Sequence, residues 1–349
     1  MEKKVRVGIM GMAMGLDHLA NYRKVESTEI IAFCDHNEPW LKHMQKQHCV
    51  AKGYSNYRQM LKDKSIDAVS VCLPTYLHAD ATIAALKAGK HVLCEKPMAV
   101  SGKEAKAMAS AAKASRKILA ISQNRRFERP SQYLRKCMDE NMFGDIYFIR
   151  TGWQRPMGMF PVPNELRATG TYSRNWFNQK AKGGGVLRDL GSHLLDLTMW
   201  LLGFPKVKQV VSNNYCLFTP AIAAQFGETA DAEDFASGVI LFENGAALHL
   251  EVNFGAHIEK ESVFLELYGR RGGASLRDGV IKTFTKDGGA YTATTVQGYT
   301  LPGGTTQSDF VAAILGRKNP LVTPDQGVRI IELLDALYAG GIRYGIGSK

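Results

Sequence analysis

Five apolar runs of four to eight residues alternate with helical stretches between Val5 and Gln123, and few architectures tolerate that order. The runs are Val5–Met10, Glu29–Cys34, Ile66–Leu73, His91–Cys94 and Leu119–Gln123. None alternates apolar with polar residues, so each predicts a strand buried on both faces, as in a parallel sheet covered by helices. The intervening helices are read over Gly15–Lys24, Pro39–Gln47, Tyr57–Lys62, His78–Ala88 and Ser101–Ser115. The last has Ser101 as its cap and Glu104 three residues on. Pro74, Gly89 and Pro97 stop three of these elements.

After Asn124 the pattern changes. Asp145–Trp153, Val207–Tyr215, Phe235–Phe242, Ala246–Phe254 and Val263–Tyr268 read as strands, several half-buried, with a hairpin signal at Glu243-Asn244-Gly245. Helices are expected at Leu194–Leu202 and Gly327–Gly340. The chain thus divides into an α/β domain over residues 1–123 and an α+β domain over 124–349 with an open, mostly antiparallel sheet. The final helix, 327–340, is free to pack back on the first domain.

Gly8-Ile9-Met10-Gly11-Met12-Ala13-Met14-Gly15 follows the first strand and opens a helix. Glycines at such a corner allow a tight turn and a close approach to a pyrophosphate at the helix N-terminus. Ala13 departs from the G-x-G-x-x-G pattern, and Gly15 comes one residue early, so a plain strand-to-helix corner fits equally well. Asp35 tips the balance: it ends the second strand 35 − 11 = 24 residues after Gly11, where a carboxylate accepts from both ribose hydroxyls and repels a 2′-phosphate. Gly11, Met12, Ala13, Met14, Asp35 and His36 are therefore candidate cofactor residues in a Rossmann domain, with NAD preferred to NADP. Asp35 could also cap the following helix.

Composition narrows the function classes. Net charge is +11, from 44 Lys+Arg against 33 Asp+Glu, but no block of five basic residues occurs, so a nucleic-acid partner is not expected and small anionic ligands are. Apolar stretches are strand-sized, well short of the ~20 residues of a membrane span. The basic, apolar start imitates a signal peptide, yet Arg6 interrupts it and no cleavage site follows. Six cysteines without a CxxC pair point to a reduced, cytoplasmic protein.

Three further segments carry a resemblance: Leu73-Pro74-Thr75-Tyr76-Leu77-His78, Cys94-Glu95-Lys96-Pro97, and Gly183-Gly184-Gly185-Val186-Leu187-Arg188-Asp189-Leu190-Gly191-Ser192-His193-Leu194-Leu195-Asp196. In this order and spacing the chain resembles the Gfo/Idh/MocA oxidoreductases over nearly its whole length. The resemblance implies Lys96, Asp189 and His193 as catalytic group, and Leu73, Pro74, His78, Glu95, Lys96, Asn124 and Tyr338 along the cofactor. It also sets Asn124 and Arg125 at the nicotinamide or substrate.

The residues make chemical sense alone. Lys96 past a strand end suits an oxyanion stabiliser, although a salt bridge to Glu95 is an alternative. His193 has the pKa of a general base, and Asp189, four residues before it, could orient it or bind substrate. Asp189, His193 and Asp196 could instead hold a metal, though none is expected; Asp196 could also support His193. Trp153, Arg155, Arg174 and Trp176 are candidates for holding a sugar ring by stacking and hydrogen bonds. Arg188 fits either substrate recognition or the helix's far side. The expected activity is NAD-dependent hydride transfer from a secondary alcohol of a sugar, glycoside or cyclitol by a homodimer or homotetramer. A glycoside-processing enzyme using NAD transiently, and a non-catalytic NAD- or sugar-binding regulator, are the rivals.

Overall fold

The computed structural model describes residues 4–157, 175–225, 227–287, 289–298 and 303–340. The first sheet has six parallel strands, β1 (Val5–Met10), β2 (Thr28–Cys34), β3 (Lys52–Tyr54), β4 (Ala68–Val71), β5 (His91–Glu95) and β6 (Leu119–Ser122), in the order β3-β2-β1-β4-β5-β6. Helices α1 (Gly15–Tyr22), α2 (Glu38–His48), α3 (Tyr57–Met60), α4 (His78–Lys87) and α5 (Gly102–Ser115) connect them. The strand order reverses at β1/β4, so the carboxyl ends of β1, β2, β4 and β5 open a crevice where such folds bind ligands. The strands are buried on both faces as their composition predicts; β3 was too short to read.

The chain continues through α6 (Arg129–Asp139), β7 (Ile146–Gln154), α7 (Ser192–Leu201), β8 (Val207–Tyr215), α8 (Thr219–Ala224), β9 (Phe235–Phe242), β10 (Ala247–Asn253), β11 (Ser262–Gly269), β12 (Gly272–Arg277), β13 (Val280–Asp287), β14 (Ala290–Val296), α9 (Thr306–Ile314) and α10 (Pro324–Ala339). Eight strands form one sheet, β14-β13-β12-β11-β7-β10-β9-β8, antiparallel except for β7 with β10. The β9–β10 hairpin turns at Gly245, in the left-handed region at φ +88°. Strands β12–β14 and helices α6, α8 and α9 were not expected. Their sequences are polar or short, and only pairing with neighbours makes them regular.

One face of this sheet is buried under α7 and α10. In β9 the inward Ala236, Gly238, Ile240 and Phe242 are buried while Val239 and Leu241 face outward, exposed. Helix α10 also packs on α5 of the first layer, where Asp335 Oδ2 accepts from the Gly102 N–H at 2.8 Å. No helix among the described residues is long and apolar enough to cross a membrane.

Candidate active site

A cavity of about 1390 Å³ runs along the carboxyl edge of the first sheet to the segments around Trp176, Asp189 and Thr305. At one end lies the β1–α1 corner. Gly11 adopts φ +87°, and a Cβ there would stand 2.4 Å from the Cys72 carbonyl, so only glycine fits. The Gly11 N–H donates to Cys34 O and the Met12 N–H to Asp35 Oδ2 at 2.9 Å. Helix α1 opens at Gly15 without a side-chain cap, and Met12, Ala13, Met14 and Leu16 around that opening border the cavity. Asp35 also accepts from the Asn37 N–H; the side chain that caps α2 is that of Asn37, not Asp35.

At the opposite end Lys96 follows β5. Its Nζ lies 2.7 Å from Asp189 Oδ1 and also donates to the Asp189 carbonyl at 3.2 Å. Asp189 sits in a single π-helical turn, Leu187–Gly191, just ahead of α7, a distortion that often marks functional positions. That turn is held from behind: Glu233 Oε1 accepts from the Leu187 N–H, and Gly185, at φ +104°, lets Glu233 approach where a Cβ would meet it at 2.3 Å.

His193, in the first turn of α7, borders the same cavity, and its Nδ1 is buried with no hydrogen-bond partner among the described residues. Burial, and then the charges of Lys96, Arg125 and Arg155, push its pKa well below the usual histidine range. Both effects hold the imidazole in its neutral form, the state a proton acceptor needs.

Two sequence models match the chain: one for the oxidoreductase family with NAD-binding Rossmann fold, over residues 5–123, and one for the Gfo/Idh/MocA C-terminal domain, over 131–275. The chain belongs to the Gfo/Idh/MocA oxidoreductase family. It is 31% identical over 345 residues to the D-glucoside 3-dehydrogenase of Escherichia coli K12, covering 96% of this chain and 94% of that protein. It is 28% identical to the myo-inositol 2-dehydrogenase of Thermotoga maritima, across 69% of this chain and 66% of that one. The fold is also that of a levoglucosan dehydrogenase solved with NADH and L-sorbose, with TM-score 0.83 at 22% identity over 97% of this chain and 96% of that one. This chain is an NAD-binding oxidoreductase of that family.

The cavity fits the dinucleotide the family binds. It has a glycine cradle that a side chain would fill, a carboxylate at the end of β2 and a buried, unpartnered imidazole nitrogen at its far end. Of the expected residues, Gly11, Met12, Ala13, Met14, Asp35, His36, Leu73, Pro74, Glu95, Lys96, Asn124, Arg155, Trp176, Asp189 and His193 border it. Arg174 lies outside the described residues.

Four others stand elsewhere. His78 does not border the cavity: it is buried with its Nδ1 2.9 Å from the Pro97 carbonyl and its Nε2 2.7 Å from that of Leu73, and the one N–H of its neutral ring donates to one of the two. Tyr338 donates to Glu233 Oε1 at 2.6 Å and supports the turn carrying Asp189 from outside, because α10 presents it to the glycine run. Trp153 lies behind His193, ring centroids 6.0 Å apart, between the guanidiniums of Arg125 at 4.4 Å and Arg155 at 5.2 Å. Arg125 is held on that ring away from the cavity wall, and only its charge reaches His193.

Asp189 Oδ1 accepts from the Lys96 ammonium, and among the described residues no hydrogen bond joins its carboxylate to His193. Asp196 faces away: both its oxygens accept from the fully buried Arg126, at 2.8 and 2.6 Å, so Asp189, His193 and Asp196 do not converge on a metal and Asp196 does not orient His193. Arg188 is buried against Tyr338 and donates to the Val100 carbonyl, a packing role. Sequence reasoning missed His18, Tyr76, Lys182 and the Thr305–Gln307 segment on the cavity wall. Tyr76 stands within the Leu73–His78 segment, and the four-residue step from Met14 to His18 along α1 hinted at His18.

Proposed function

We propose that the protein oxidises a secondary hydroxyl of a sugar, glycoside or cyclitol, with NAD preferred to NADP. The observation that carries this reading is that the Lys96–Asp189 ion pair and His193 border the same cavity as the Gly11 turn and Asp35. NAD, when bound, supplies the hydride acceptor. His193 takes the hydroxyl proton, for which its depressed pKa keeps it free. Lys96 stabilises the negative charge developing on the substrate oxygen, and Asp189 fixes the ammonium in place. The Asp35 carboxylate, already aimed at the cavity mouth by the Met12 and Asn37 N–H groups, accepts from ribose and disfavours a 2′-phosphate. Trp176 and Arg155 lie where a ring and its hydroxyls would rest.

In this reading residues 1–123 form the cofactor unit and 124–349 the substrate unit, and copies associate through the open sheet face. There Val211, Val239 and Leu241 are exposed beside the Phe148–Tyr268 ring pair. Sedimentation velocity showing only monomer would remove the assembly part. The six cysteines carry free thiols, which suits the cytoplasm.

The test follows NADH absorbance with NAD, and NADP in parallel, across pyranosides, glycosides, sugar acids and inositols. NADH forming with a subset supports the reading. In that assay Lys96→Ala should lose kcat by about 10³-fold, the scale of one lost oxyanion donor, while NAD binding persists. Near-normal turnover of this variant would remove Lys96 from its role.

A further inference from the structure

A buried chain of polar side chains runs from the core of the first layer to the cavity wall. Tyr22 OH lies 2.9 Å from Ser70 Oγ, Ser70 Oγ 3.1 Å from His18 Nδ1, and His18 Nε2 2.7 Å from Glu95 Oε1. Tyr22 and Ser70 are wholly buried and His18 nearly so, while His18 and Glu95 border the cavity. The other Glu95 oxygen accepts from the Lys96 N–H at 3.2 Å.

Only one arrangement of protons gives every member a partner. Tyr22 donates to Ser70, Ser70 donates to His18 Nδ1, and the Nε2–H of a neutral imidazole donates to an ionised Glu95. Reversing the chain would leave the Tyr22 hydroxyl proton without an acceptor in the core, which is costly. Burial pushes the Glu95 carboxyl up, but the hydrogen bonds from His18 and Ser122 and the Lys96 charge outweigh it and hold it below the usual range. None of this is needed by the proton-accepting and oxyanion roles of His193 and Lys96.

We infer that His18 is a positioning residue which, backed by Ser70 and Tyr22, fixes the Glu95 carboxylate as an anion at the cavity wall beside Lys96, and so sets the relative affinity of the site for NAD⁺ and NADH. The inference rests on the dinucleotide reading above. An anion at the reacting end favours the cationic ring of NAD⁺ over the neutral ring of NADH, so the wild-type site is poised toward the oxidised cofactor.

The test measures both dissociation constants, NAD⁺ by calorimetry and NADH by fluorescence. Glu95→Gln removes the charge, and His18→Leu leaves a buried carboxyl without its donor, which then takes up a proton. Each should raise Kd(NAD⁺)/Kd(NADH) about tenfold, the effect of one nearby charge. The double variant should go no further than Glu95→Gln alone, because both act through one group. His18→Gln, which keeps an N–H at similar reach, should restore the wild-type ratio to within about twofold; a purely structural role for His18 would change both constants together.

An unchanged ratio in Glu95→Gln, an unchanged ratio in His18→Leu, or full additivity in the double variant would each overturn the inference. Should His18→Leu fail to fold by circular dichroism, Ser70→Ala replaces it. Without the Ser70 donor the ring can present a bare nitrogen to Glu95, and the ratio should move the same way, about threefold; no movement overturns the inference. A wild-type protein that binds neither form would instead overturn the dinucleotide reading itself.

Discussion

His193 titrates in the company of three cations. Lys96, Arg125 and Arg155 all disfavour its protonated form, and burial does so more strongly than any of them. A base with a lowered pKa stays free as pH falls, so the acid limb of kcat/KM should lie well below the usual histidine value of about 6.5. Arg155→Met removes one repelling charge and takes from Glu261 its ion-pair partner at 3.2 Å, leaving it the Trp153 N–H and the charge of Arg125. Both changes favour the imidazolium, so the acid limb should move to higher pH. A pH–rate profile that shifts downward or stays put would show that Arg155 does not act on His193. The sequence offered His193 and Lys96 readily, because each stands in a short motif. It left Asp189 either to orient His193 or to bind substrate, since a spacing of four implies one helical face, whereas the π turn gives one carboxylate oxygen to Lys96.

At the scale of elements, the segment Gly183–Gly191 shows how a local sequence is shaped by what packs behind it. Gly185 is glycine because its backbone is left-handed and Glu233 occupies the place of a side chain. Glu233 in turn accepts from the Leu187 N–H and from Tyr338, joining the turn that carries Asp189 to α10. Gly185→Ala should therefore displace Glu233 and loosen Asp189, costing about 1–3 kcal/mol of stability by strain at one residue and lowering kcat. Calorimetric melting measures the first and the NADH assay the second; a variant with unchanged melting and turnover would show that the turn tolerates the added carbon. Helix boundaries elsewhere were legible from caps, as Ser101 accepting from the Glu104 N–H shows. Strands β12–β14 were not, because their outer residues are polar and Gly272 and Gly273 hide the pattern.

Across the whole molecule, one buried ion pair ties separate parts of the chain together. Arg126, fully buried just after the first sheet, forks onto Asp196 of α7 and donates to the Leu321 carbonyl and Gln326 Oε1 near the start of α10. Removing one partner strands a buried charge, so Arg126→Met should cost about 3–5 kcal/mol in denaturant unfolding. The double variant Arg126→Met with Asp196→Leu should recover most of that loss, because two apolar groups leave no charge behind. If the single variant melts like wild type, Arg126 is not the clamp described. Sequence reading set Asp196 beside His193 because both lie in one motif, and passed over Arg126 because a lone arginine gives no sign of being buried.

The sequence by itself determined the two-layer order, the glycine corner at Gly11 and the presence of Lys96, Asp189 and His193, since strand periodicity, glycine conformation and short motifs are local properties. The tertiary structure decided which side chains meet. Asp189 holds Lys96, Glu233 supports the turn from behind, Tyr338 and His78 brace the walls instead of lining them, and His18 reaches Glu95 from 77 residues away. Those pairings depend on how sheets and helices pack, and a contact between residues far apart in the chain leaves no mark in the spacing around either one.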